Sequence, residues 1–326
     1  MTTWDADRIL AESAKWHWIP PGATEVETDQ IHLYVNAGAA TLIRADPDPD
    51  PAADPDPAAD PDPAADPDPA ADPDPAADPD PAADPDPAAD PDPAASQGAG
   101  TGTAAELAPE GAGADSTPDT EDATRRLIMK VADLARRHGA DRVMWGVGPD
   151  PRPANLLDVL QALGGEVTVT LDVCAYDLTT GLPTIPVPEG VTAGPVATRE
   201  DTGAAMRVGA MVWGGDEPTD AEIDKQYDNL GDEPGLFLAR HADEPAGSGG
   251  YTLAGPVARL WGAGVLPALR GNGAYRALVA ARLRDAVARG VTLALVHANV
   301  GTSAPILRRL GFTVYGQRQI VTLLIR

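Results

Sequence analysis

From Asp48 to Ala95 the hexamer Asp-Pro-Asp-Pro-Ala-Ala recurs eight times without a change. No other stretch limits so firmly what the chain can fold into. It holds no large apolar side chain, its prolines remove backbone donors, and its aspartates repel one another, so it builds no core. Proline at every second or fourth position with spaced negative charge favours extended polyproline II backbone. At about 3.1 Å per residue the repeat would reach on the order of 150 Å fully extended. Residues 96–122 continue as Gly, Ala, Ser, Thr and acidic residues. We read 46–122 as a disordered insert. It is either a repeat expansion tolerated in a surface loop or a spacer and docking arm for a basic partner.

The insert also explains the charge. The formal net charge of the 326 residues is −26, and 23 acids without a single base lie within 46–122. The remainder is close to neutral, and no basic field points to nucleic acid. Cys174 is the one cysteine, which excludes an intrachain disulfide and suggests a reducing, cytoplasmic setting. Met1 to Ala14 lacks the apolar run of a signal peptide, and no stretch of about 18 apolar residues suggests a membrane span. The five histidines (17, 32, 138, 241, 297) show no ligand spacing, so no metal is expected. Arg greatly outnumbers Lys, and Ala, Gly and Pro abound, which reads as a GC-rich, bacterial coding bias.

Hydrophobic periodicity places ordered elements on both sides of the insert. Before it, residues 4–15 suit a short helix, and 31–35 and 40–43 suit two strands around Asn36-Ala37-Gly38. After it come a helix from 124 to 138 stopped at Gly139, a strand over 142–147, a helix over 154–163 and a strand over 167–178. A Pro-rich connector, 182–188, leads to a strand beginning at Val191. Helices follow over 201–213 and 220–227, then a strand over 236–240. Gly247-Ser248-Gly249-Gly250 reads as a turn into 251–254. The strand 257–266, helix 273–289, strand 291–297 and helix 303–310 follow, and 312–325 reads as a strand pair bent at Gly316. Helix, strand, helix and strand thus occur twice in the same order, with Leu163-Gly164 where Leu310-Gly311 stands. The expected fold is α/β with a mixed, largely antiparallel twisted sheet flanked by helices, built from two tandem units. The first is 1–45 with 123–180, the insert is 46–122, and the second is 181–326.

One turn carries chemistry. The strand ending at Val265-Leu266-Pro267 opens through Ala268-Leu269-Arg270-Gly271-Asn272-Gly273 into the helix that starts with Ala274 and Tyr275. The first N–H groups of a helix have no internal acceptor, and the helix dipole adds positive potential there. Gly271 and Gly273 remove side chains, and Arg270 adds a charge. An ordinary strand-to-helix turn and an anion-binding turn both fit these facts.

With Leu310-Gly311-Phe312, this loop resembles the acetyl-CoA loop of the GNAT N-acetyltransferases, Arg/Gln-x-x-Gly-x-Gly/Ala after a strand. The resemblance spans about residues 185–326, and Tyr275 departs from it by replacing Gly or Ala. The first unit resembles that family only in outline, because acidic linker precedes its helix. The resemblance implies an acetyl-CoA-dependent N-acetyltransferase acting on a small-molecule or peptide amine. The same fold also suits a non-catalytic acyl-CoA-binding or interaction protein. It implies that 257–266 and 291–298 splay apart, with Val265 and Leu266 offering backbone to the pantetheine arm. Arg270, Gly271, Asn272, Gly273, Ala274 and Tyr275 would hold the pyrophosphate. Asn299 would lie near the thiol.

Transfer needs a polarised carbonyl, a route for the amine proton and a stabilised thiolate. The family's frequent acid, a Tyr, is replaced by Leu307, and residues 251–269 hold no Asp or Glu. His297, at the end of the second splayed strand, is the candidate base, against a reading as a backbone-bonded strand end. Tyr315 is the candidate substitute acid. Asp216 and Glu217 could recognise a cationic amine, against a reading as solvated loop residues.

Overall fold

The computed structural model describes residues 4–17, 19, 23–46, 118–230 and 235–325. The Asp-Pro-Asp-Pro-Ala-Ala repeat, with the arm expected of it, lies outside the described residues. Before the insert stand α1 (Ala6–Ala14), β1 (Thr24–Glu27), β2 (Ile31–Asn36) and β3 (Ala39–Ala45). Then come α2 (Pro118–Arg137), β4 (Arg142–Val147), α3 (Leu156–Ala162) and β5 (Glu166–Asp177). The second half comprises β6 (Val191–Pro195), α4 (Arg199–Trp213), α5 (Asp220–Asp228), β7 (Leu236–His241), β8 (Glu244–Ala254) and β9 (Val257–Val265). It closes with α6 (Ala274–Ala288), β10 (Leu293–Asn299), α7 (Ser303–Arg309) and β11 (Thr313–Leu324).

Among the described residues all strands join one mixed sheet, ordered β1-β2-β3-β4-β11-β5-β10-β9-β8-β7-β6. Only the β3–β4 and β9–β10 ladders are parallel. Each parallel pair marks the same place in its half. In both, three residues pair before the strands part: Ala39–Thr41 with Arg142–Met144, and Val257–Arg259 with Leu293–Leu295. The insert leaves β3 where the glycine loop leaves β9. The twofold repetition of helix, strand, helix and strand is therefore a repetition in space.

The halves interlock. β5, the last strand of the first half, lies between β10 and β11, and β11 lies between β4 and β5. This corrects the expected strand pair over 312–325. β11 is one strand of 12 residues, paired along one edge with β4 and along the other with β5. With both edges taken by the first half, it has no need to fold back on itself. The bend expected at Gly316 is a register shift between Val314 and Gly316.

Gly247–Gly250 also departs from expectation, since it lies inside β8. The β7–β8 turn is Ala242-Asp243, whose φ of 50° and 67° suit the two central positions of a tight hairpin. The glycines serve close packing. A Cβ on Gly249 would come within 2.8 Å of the Ala263 Cα, and one on Gly250 would meet the Trp261 ring at 2.5 Å.

Strand alternation sorts the helices between two faces. On one face, α6 and α7 bury Leu278, Leu283 and Leu307 against Phe237, Tyr251 and Ala294. On the same face α2 and α3 bury Ile128, Val131 and Leu160 against Leu33, Trp145 and Val321. The other face is covered by α1, whose Ile9 packs on Val173, Val257, Leu293 and Leu295. There too Ala205 of α4 packs on Leu238. Burying one such aliphatic side chain contributes about 1.5–3 kcal/mol. The helix starts on that second face are closed by side chains: Asp5 accepts from the Arg8 N–H at 2.9 Å, and Thr198 from the Asp201 N–H at 3.1 Å. Thr219 and Glu222 form a reciprocal capping box at α5.

Candidate functional site

The site begins with the parting of β9 and β10. Beyond Arg259 and Leu295 the two strands no longer pair with each other. Each keeps its outer partner: β9 stays on β8 as far as Val265, and β10 stays on β5 as far as Asn299. Their facing edges line a V that opens toward the carboxyl ends of both strands. An unpaired strand edge is a row of free donors and acceptors, able to take an extended ligand as a further strand would be taken.

Val265 and Leu266 sit at the open end of this V, and their backbones point opposite ways. The Leu266 N–H is spent on the Ala246 carbonyl at 2.9 Å, toward β8. Alternation turns the Val265 N–H and C=O to the V, where that carbonyl accepts from Arg270 Nε at 3.3 Å. Of the two, Val265 presents its backbone to a ligand in the opening.

The loop then makes a single 3-10 turn, Pro267–Leu269, and reaches α6 through Gly271 and Gly273 with φ of 85° and 91°. That left-handed geometry is what glycine permits. Gly273 is the N-cap of α6, and no side-chain hydrogen bond caps it. Unlike α1, α4 and α5, this helix leaves its first N–H groups to an outside acceptor. Arg270, Gly271 and Asn272 are exposed around it, and Ala274 is buried. The space beside Gly273 is already used on one side. A Cβ there would come within 2.5 Å of Pro188 Cδ, so the Pro-rich connector leans on the start of α6.

Tyr275 turns inward, packs against the core, and its hydroxyl reaches Ser303 at the start of α7; burial raises its pKa. It therefore spans from one helix start to the other across the mouth of the V. Asn299 accepts from the Gly301 N–H at 2.9 Å through its Oδ1, so it shapes the turn that follows β10. Leu307 is buried in the core of that face. Asp216 and Glu217 are exposed on the α4–α5 connection.

His297 points to the other face of the sheet, under α1. Its Nε2 lies 2.7 Å from Ser13 Oγ, and its ring stacks on Trp16 with centroids 4.6 Å apart. Burial lowers its pKa to about 3, helped by the charges of Arg318 and Arg259 and by His17. Next to it His17 is lowered to about 4, again by burial first and then by Arg318 and Arg259. At neutral pH both imidazoles are uncharged. A base this weak accepts a proton poorly at pH 7, because proton transfer is most effective when the pKa is near the working pH. Tyr315 packs beside this cluster, against α1, at the bulge in β11.

The sequence reading did not find Ser13, Trp16, His17, Arg259 or Arg318. They come from three separate stretches, and only the shared sheet of β9, β10 and β11 with α1 packed over it brings them together. Among the described residues no group of three or more His, Cys, Asp or Glu is placed to hold a metal. No described helix is long and apolar enough to cross a membrane.

The model of the acetyltransferase (GNAT) family matches residues 205–312, from within α4 to the start of β11, so the C-terminal region is a GNAT region. Among solved structures, a GCN5-related N-acetyltransferase from Sphaerobacter thermophilus is similar at 21% identity and a TM-score of 0.50, covering 62% of this chain and 68% of that one. A GCN5-related N-acetyltransferase from Kribbella flavida is similar at 20% identity and a TM-score of 0.49, over 62% and 76%. No curated protein matches the sequence. The family match points to acyl transfer in general terms.

Proposed function

We propose that the C-terminal half transfers the acetyl group of acetyl-CoA to an amine of a small-molecule or peptide acceptor. The observation that carries this reading is the uncapped start of α6 standing at the open end of the β9–β10 V. The N–H groups of Gly271 to Tyr275, with Arg270, suit a pyrophosphate. The free edge of β9 at Val265 suits the amide-bearing arm that would follow it into the V. Acetyl-CoA supplies the activated acyl group when bound. The Val265 N–H is then the donor on hand for a developing oxyanion. Asn299 holds the turn at the far rim.

The arm would enter beside α6, on one face, and the amine would meet it from the α1 face, where His297 and Tyr315 lie. His297 serves there as a neutral hydrogen-bonding partner or weak base, and holding amine and thioester together contributes most of the rate. The first half has a V of its own between β3 and β4, but the sequence before its helix α2 holds no Arg-x-x-Gly motif, and we assign the cofactor to the second half alone. We divide the chain functionally as before, 1–45 with 123–180, the insert 46–122, and 181–326, although one sheet runs through both halves. The buried thiol of Cys174, raised by burial to about 11, fits a reducing, cytoplasmic setting without a role in chemistry. A second reading, acyl-CoA binding without catalysis, draws on the weak basicity of His297 and on Leu307 in the core.

Titration calorimetry with acetyl-CoA tests the site. Asn272→Asp is nearly isosteric and places a negative charge before α6. It should weaken acetyl-CoA about three- to tenfold by repulsion. The same charge favours the helix dipole by about 0.3–1 kcal/mol, so melting should not fall. Absence of binding to the unaltered chain, or equal affinity in the variant, would sink this reading. Thiol release with a panel of amines then separates enzyme from binder, and silence with intact binding supports the second reading.

A further inference from the structure

The α1 face beyond the V holds more positive charge than the protein itself compensates. Register places the groups. Arg318 on β11 stands opposite Leu171 on β5, and Leu171 stands opposite Asn299 on β10. One strand position away, Gly316, Val173 and His297 form the neighbouring row. Arg259 on β9 stands opposite Leu295. By alternation Arg318, Asn299, His297 and Arg259 all project to the face that α1 partly covers. Adjacent strands lie about 4.8 Å apart, so Arg318 begins about 10 Å from Asn299, at the rim of the V.

Arg259 has a partner of its own. Its Nη2 lies 3.5 Å from Glu12 Oε2 and donates to the Glu12 carbonyl at 3.4 Å, while its buried Nε has no partner among the described residues. Arg318 has none: among the described residues nothing forms an ion pair or a hydrogen bond with its half-buried guanidinium. Its seat is nevertheless built. The guanidinium lies flat on Gly146 of β4, where a Cβ would meet Arg318 Nε at 2.8 Å. The imidazoles of His17 and His297, close enough to feel its charge, are uncharged at neutral pH. Two guanidiniums against one carboxylate leave one positive charge without a counterion. Holding a cation out of water with no partner costs stability. A planar guanidinium fits a carboxylate through two parallel hydrogen bonds.

We infer that the amine acceptor carries a carboxylate, which Arg318 receives on the α1 face while the amine reaches the V. The inference rests on the acyl-transfer reading above and names the substrate class for that site. Because the guanidinium rests over Gly146 on the β4 side of β11, the acceptor must be long enough to span from there across β5 to the V.

The test uses the full chain and amine pairs that differ in the carboxylate: 5-aminopentanoate with pentylamine, 6-aminohexanoate with hexylamine, and 8-aminooctanoate with octylamine. Thiol release from acetyl-CoA should favour the carboxylate member of at least one pair by about 10- to 100-fold in kcat/KM, as a charge-assisted bidentate contact permits. Arg318→Gln should collapse that ratio through the KM of the carboxylate member, and Arg318→Lys should restore part of it. Gly146→Ala, which displaces the guanidinium without altering charge, should act in the same direction as Arg318→Gln. Equal or better use of the neutral member in every pair overturns the inference, as does a ratio that survives Arg318→Gln. A chain that fails to bind acetyl-CoA refutes the acyl-transfer reading instead. The pocket is then read alone, by saturation-transfer NMR with the same three carboxylates against their neutral amines. Binding that Arg318→Gln abolishes supports the carboxylate site, and no selective binding to the unaltered chain overturns it.

Discussion

Gly273 lies in the loop that points to the cofactor, yet its surroundings give it a second task that can be measured. Its φ of 91° is left-handed, and a Cβ would sit 2.5 Å from Pro188 Cδ and 2.7 Å from Pro188 Cγ. Alanine at that φ costs about 1–2 kcal/mol, of which lower chain entropy in the unfolded state returns about 0.4–1 kcal/mol. Forcing a methyl into the proline ring adds about 1–3 kcal/mol. Gly273→Ala should therefore destabilise by about 2–4 kcal/mol. Gly271 is the internal control, with a φ of 85° and no atom within 4 Å of a Cβ, so Gly271→Ala should cost only about 1 kcal/mol. The assay is urea unfolding of both variants, of Pro188→Ala and of the double variants, read as a thermodynamic cycle. Pro188→Ala should recover about 1–3 kcal/mol from Gly273→Ala and nothing from Gly271→Ala. If Gly271→Ala costs as much as Gly273→Ala, or if the Gly273–Pro188 coupling is below about 0.5 kcal/mol, the packing argument fails. A loss of acetyl-CoA affinity in Gly273→Ala that Pro188→Ala also restores would trace the loss to displacement of the loop.

Two further outcomes follow from buried charge. His297 and His17 bind protons in the unfolded chain near pH 6.5 but in the folded protein only near 3 and 4. Their contribution is whole above pH 6.5 and is lost as pH falls toward those values, about 2 kcal/mol for each by pH 5. His297→Gln should therefore lose about 2 kcal/mol less than the unaltered chain between pH 7 and pH 5 in urea titrations, and parallel losses would refute the assignment. Arg282 of α6 is 2% exposed, with Nε donating to the Leu278 carbonyl and Nη1 to the Gly250 carbonyl, each at 3.1 Å. Burial lowers its pKa to about 10. Arg282→Ala leaves a cavity and an orphaned carbonyl and should cost about 2–4 kcal/mol, whereas Arg282→Met fills the space and should cost less than about 1.5 kcal/mol; equal urea midpoints would contradict this.

Local pattern accounts for most elements. Strand 142–147 and helix 303–309 are legible because alternation, a helix-compatible proline and a terminal glycine all act within a few residues. The glycine loop is legible for the same reason, since φ at Gly271 and Gly273 sets its turn, whereas the contact of Gly273 with Pro188 was not legible. Arg282 was not legible, since nothing in Ala-Ala-Arg-Leu-Arg tells which arginine faces the Gly250 carbonyl. Nor was Gly247–Gly250, because glycine demanded by a neighbouring strand and a Trp261 ring looks in sequence like glycine demanded by a turn. The pairing of β11 with β4 and β5 joins segments far apart in the chain, and short-range periodicity carries no information about partners.

The sequence by itself determined the twice-repeated order of helix and strand and the glycine loop at the start of α6, both of them consequences of local stereochemistry. Only the tertiary structure decided that the two halves share one sheet, that Val265 rather than Leu266 faces the V, and that Arg318 stands unpaired beside His297. Those facts depend on which strand edges and which side chains meet across the fold, and hydrogen-bond direction and charge compensation exist only once they have met.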